Sequence, residues 1–200
     1  GIPGAGRLVV GQSEFQQHLV QIVPGAAGVA LPPIAVVVAS SILSGIVAGF
    51  TINAVFAFGE EYGWRGVLAD ELRGLGVFRA NLIIGVPWGL WHAPIILVMG
   101  HNYPTQRGWG VLMMVAWTVP LSFLLWWVRE RSGSVLAPAC LHGAFNGTIG
   151  LFALLIVGGA ELVALPMGIL LAVTLAVLAL ALWEFWPPRA RTRPGATPSR

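Results

Sequence analysis

Long uncharged, apolar runs dominate the pattern along this chain. They fall at residues 31–58, 80–99, 110–128, 135–157 and 162–186, with charged and turn-forming residues gathered between them. A helix needs about 20 residues to cross a bilayer. The pattern therefore predicts five spans in an all-α polytopic transmembrane bundle. Residues 1–30 are mixed; "EFQQHLVQIVPG" is too polar to span and predicts an interfacial helix. Residues 187–200, "PPRARTRPGATPSR", are basic and proline-rich and predict a disordered tail. The expected organisation is an N-terminal segment 1–30, a membrane domain 31–186 and the tail 187–200, with no internal repeat.

Composition agrees. The chain is 56% apolar and 10% charged, against about 25% charged in soluble domains. Nine tryptophans suit a protein with aromatic belts at two interfaces. One cysteine, Cys140, excludes an internal disulfide and a cysteine-cluster metal site. The net charge of +3 is small, and no nucleic-acid partner is expected. No signal-peptide pattern opens the chain. It begins without Met, as a piece of a longer protein would.

The charge distribution sets an orientation. All eleven basic residues are arginine. With five spans, Arg65, Arg73, Arg79, Arg129, Arg131, Arg189, Arg191, Arg193 and Arg200 share the side of the tail, and only Arg7 and Arg107 lie opposite. Positive residues accumulate on the cytoplasmic side, so the tail and the loop after Glu60 are expected in the cytoplasm. The lysine-free composition points to a bacterial or archaeal plasma membrane.

A few polar residues break the apolar runs. Glu60 and Glu61 end the first one. Adjacent helical residues point about 100° apart, and Glu61 precedes Arg65 by four, the favourable order for an ion pair on one helix face. That leaves Glu60 without a local partner. His92 lies in "GVPWGLWHAPIIL", ~15–18 Å into the second run, where an ionisable group is costly and suggests function. Trp88 shares its face. Gly85, Gly89 and Ala93 line an adjoining stripe that admits a second helix, and Pro94 predicts a kink. His142 and Asn146, in "LAPACLHGAFNG", share a face four residues apart, beside a second stripe of Ala139, Gly143 and Gly147.

Each of these also has a plain structural reading, as an interfacial anchor or a hydrogen bond between helices. Together they say more. Glu60, His92, His142 and Asn146 come from the same half of three helices, which predicts a shared cavity opening to the cytoplasm. Carboxylate and imidazole suit proton abstraction from water; imidazole and amide N–H groups suit an oxyanion. That set can hydrolyse an amide.

"EEYGWR", "WGLWH" and "HGAFN" fit Glu-Glu-x-x-x-Arg, aromatic-x-x-x-His and His-x-x-x-Asn motifs. In this order they resemble the CPBP intramembrane protease family, which includes the CAAX prenyl endopeptidases and bacterial relatives linked to bacteriocin processing and immunity. The resemblance covers about residues 56–156. It implies an endopeptidase acting on a peptide substrate, with or without a lipid modification, in which Glu60 is the acid–base group and His92 positions water. His142 and Asn146 would stabilise the oxyanion, with Glu61 and Arg65 in support. No cofactor is favoured, although Glu60, His92 and His142 are also a donor set for Zn²⁺. Family members usually have more than five helices, implying further N-terminal spans. Trp88 stands where many members have Phe. Two other readings use the same residues: a non-catalytic peptide-binding or immunity protein, and a small proton-coupled transporter. The oligomeric state is not encoded in any recognisable pattern.

Overall fold

The computed structural model describes residues 1–188, so the expected tail from residue 189 onward lies outside the described residues. The architecture is helical. After a short strand β1 (Arg7–Leu8) come α1 (Gln12–Ile22), α2 (Ile34–Phe50) and α3 (Ile52–Glu61). A π-helical turn, Tyr62–Leu68, and the single turn α4 (Ala69–Glu71) lead to α5 (Val77–Trp91) and α6 (Ala93–Met99). Then follow α7 (Arg107–Ser132), α8 (Leu136–Thr148), α9 (Leu151–Leu155), β2 (Ile156–Val157) and α10 (Ile169–Phe185).

The span count corrects the expected five. Val77–Met99, Arg107–Ser132 and Leu136–Leu155 are long and apolar enough to cross a membrane. A fourth exists if Ile34–Phe50 and Ile52–Leu75, bent by 52° at their junction, form one broken span. The predicted run 31–58 breaks at Thr51, whose backbone leaves helical angles (φ −125°, ψ −104°). Its hydroxyl bonds back to the Val47 carbonyl at 2.7 Å, a local competitor to the helix ladder. The predicted run 162–186 fails at its start. Residues 161–168 are turns, Pro166 offers no N–H, and α10 begins only at Ile169 and has 17 residues. Hydropathy registers an apolar turn and an apolar helix alike, so apolar length alone does not separate the two.

Small residues set the helix contacts, as both stripes imply. A methyl group added at Gly89 would lie 2.6 Å from Val115 Cα, and one at Gly143 would lie 2.8 Å from Ala54 N. Larger side chains there would force α5 from α7 and α8 from α3. Between them runs an apolar core that includes Trp88, Met114, Trp117, Leu121, Leu124, Leu125, Leu171 and Leu175. Two buried hydrogen bonds pin α5 to α7: Thr118 Oγ1 to the Gly85 carbonyl at 3.1 Å, and Ser122 Oγ to Asn81 Oδ1 at 2.8 Å.

Among the described residues, Arg65, Arg73 and Arg129 lie close together. Arg73 grips Glu130 with two bonds of 3.0 and 2.6 Å. Arg129 donates from Nε to the Arg65 carbonyl at 3.2 Å and lies 3.7 Å from Asp70. At the other pole, β1 pairs antiparallel with β2. Nearby, Glu161 accepts from the backbone N–H groups of Thr105 and Gln106, just ahead of Arg107.

Candidate functional site

The π-helical turn follows directly after Glu60 and Glu61. Such turns place one more residue in the loop of the backbone hydrogen bond than an α-helix does and recur at functional sites. Within it, Arg65 is fully buried and donates from Nη1 to Glu61 Oε1 at 2.8 Å. This is the pair expected from the spacing. Glu61 Oε1 takes a second bond, 2.9 Å from His142 Nδ1. A carboxylate can only accept here, so Nδ1 carries the proton and Nε2 is left for other chemistry.

Glu60 does find a partner, on another helix: Trp88 Nε1–H donates to its Oε2 at 2.9 Å. His92 sits where the helix is interrupted between α5 and α6, two residues before Pro94. Its Nδ1 lies 2.9 Å from the Trp88 carbonyl. That oxygen cannot donate, so His92 too is protonated on Nδ1 and presents Nε2 as an acceptor.

Trp88 joins these groups. The indole is 1% exposed. The Arg65 guanidinium stacks 4.4 Å from its centroid, a cation–π contact. The His142 ring packs against it with centroids 5.3 Å apart and planes 74° apart, and the His92 ring lies at 6.4 Å. Glu60, His92, His142, Glu61 and Arg65 thus collect around one side chain. Glu60 and His92 are half-buried, and His142 is buried. Asn146 lies one turn beyond His142 on α8 and is exposed; it makes no side-chain hydrogen bond among the described residues.

Two contacts were not foreseen: the Trp88 donor to Glu60, and Glu61 as partner of His142. The only sequence signal for the first was an indole on the His92 face. The second joins residues 81 positions apart. A metal would need converging donors. Among the described residues no three His, Cys, Asp or Glu side chains are placed to hold one. Glu60, His92 and His142 as they stand do not fit a zinc site.

Residues 38–148 match the family model for type II CAAX prenyl endopeptidase Rce1-like proteins. A segment of 84 residues is 32% identical to CAAX prenyl protease 2 of Methanococcus maripaludis, covering 39% of this chain and 31% of that protein. The chain therefore matches less than a third of that relative's length. No solved structure matches.

Proposed function

The chain belongs to the Rce1-like family of type II CAAX prenyl endopeptidases, and from that premise we propose that it is an intramembrane endopeptidase in which Glu60 activates water. The observation that carries this reading is the convergence of one carboxylate and two imidazoles on Trp88. Trp88 occupies Glu60 Oε2, which leaves Oε1 to take a proton from water. His92 Nε2 accepts a second hydrogen bond from that water and orients it. The resulting hydroxide adds to the scissile carbonyl.

The oxyanion then needs donors. In its doubly protonated form, His142 keeps its Nδ1–H on Glu61 and turns Nε2–H toward the oxyanion, while Asn146 offers its amide N–H₂ from the next turn. Each such donor contributes about 10²–10³ in rate when placed before charge develops. Glu60 returns its proton to the leaving amine as the C–N bond breaks, which restores the carboxylate. No metal takes part in this route.

The substrate in this reading is the C-terminal peptide of a membrane-associated protein, carrying a CAAX-type prenyl group. The arginine-rich pole that holds Arg65, Arg73 and Arg129 faces the cytoplasm, so the site takes its peptide from that side. The test is cleavage of farnesylated and unmodified CAAX peptides by the full chain in lipid nanodiscs, with a zinc chelator present throughout. Preferential cleavage of the farnesylated peptide is expected. Equal cleavage of both would remove the prenyl preference. Loss of cleavage on chelation, restored by Zn²⁺, would contradict the metal-free route.

A further inference from the structure

We infer that the indole N–H of Trp88 is a positioning group for Glu60, so that turnover requires this donor and not merely an aromatic ring. The inference rests on Glu60 being the acid–base group. It concerns what a phenylalanine at the same place could not do.

The geometry separates the ring from its N–H. The ring is buried, 1% exposed, among Arg65, His92 and His142. Phenylalanine would occupy much of the same space and keep its face beneath Arg65. The N–H has a separate task, a 2.9 Å bond to a single oxygen of Glu60. A carboxylate on a helix end has several rotamers, and ordering it costs entropy that the N–H bond offsets. With Oε2 held, Oε1 is fixed in direction before water arrives, and such preorganisation is what lowers the barrier.

The indole itself is held from every side. Arg65 from the π-helical turn lies over the ring, the His142 ring from α8 packs against it at a steep angle, and its own backbone carbonyl holds His92. Glu61 fixes both Arg65 and His142. A displacement of the ring would therefore disturb Glu60 and both imidazoles together, whereas loss of the N–H alone touches only Glu60.

The deciding substitution changes one atom group. Trp88 is replaced by benzothienylalanine, in which sulfur takes the place of the indole N–H, and by phenylalanine. A hydrogen bond to a charged group predicts kcat lower by about 10- to 100-fold in both, with KM near that of the unaltered protein. The melting temperature is unchanged in the benzothienyl protein, whereas the phenylalanine protein melts lower because it leaves a cavity. Wild-type kcat in the benzothienyl protein, with Glu60→Gln inactive, would overturn the inference and leave the proposed function standing. A raised KM at unchanged kcat would overturn it as well, since that is the mark of packing. An active Glu60→Gln protein would overturn the proposed function and this inference together.

A second reading needs no change at Trp88. In protein labelled with ¹⁵N at the indole nitrogens of its nine tryptophans, Glu60→Ala should move one indole N–H resonance upfield. If no resonance moves, the bond is absent and the inference falls.

Discussion

Two buried polar clusters in this bundle are built to different rules. At one, the Tyr103 hydroxyl donates to the Met167 carbonyl at 2.7 Å and accepts from Trp117 Nε1 at 3.0 Å. Burial pushes that hydroxyl up to about 12, so it stays neutral at any working pH. At the other, around Trp88, the groups are charged. Glu61 Oε2 and Arg65 Nε and Nη2 are buried without hydrogen-bond partners among the described residues. Elements of the bundle can be joined by neutral, satisfied groups, as Tyr103 shows by linking α7 to the turn before α10. A charged and incompletely satisfied cluster costs stability and is the place to look for chemistry.

The sharpest way to break this contrast is Arg65→Ala. It strands the Glu61 carboxylate, itself fully buried, and removes a buried ion-pair partner, a change that costs about 3–5 kcal/mol. Lower yield and melting temperature in detergent are the expected result. A protein of normal stability but no activity would instead place Arg65 in direct contact with substrate.

His142→Ala tests the chemical side of the same cluster. On the proposed mechanism this removes one oxyanion donor and predicts a fall in kcat of about 10²–10³, read on the folded fraction. Tyr103→Phe tests the other cluster. It leaves the Met167 carbonyl without its donor and Trp117 Nε1 without its acceptor, for about 1–3 kcal/mol of stability, while the activity of the folded protein is unchanged. The pH dependence has a definite sign. Folding raises the Tyr103 value above the ordinary 10 to about 12, so its contribution is complete below about pH 10 and is lost as pH rises through about 12. The smallest effect belongs to Arg7→Ala, whose ion pair with Glu14 is largely exposed; a change within about 1 kcal/mol is expected.

The comparison also explains what the sequence could show. The Glu61–Arg65 pair was legible because it is local, four residues on one helical stretch. So were the small-residue stripes and the apolar character of the long helices. What was not legible depends on tertiary placement. No periodicity reveals that an indole 28 residues away donates to Glu60, or that His142 leans on Glu61 from a different helix. The span count erred for a related reason. Thr51 and Pro166 interrupt the backbone without interrupting the hydropathy, so the bend and the turns are invisible to a reading of apolar length.

The division of labour between adjacent carboxylates is the centre of this account, and the turnover of Glu60→Gln tests it most directly. Glutamine can still accept from Trp88 Nε1 but is not a base, so the protein should melt as the unaltered chain does while peptide hydrolysis falls by about 10²–10⁴. Hydrolysis at the normal rate by a normally folded Glu60→Gln protein would contradict the account and move the acid–base role elsewhere.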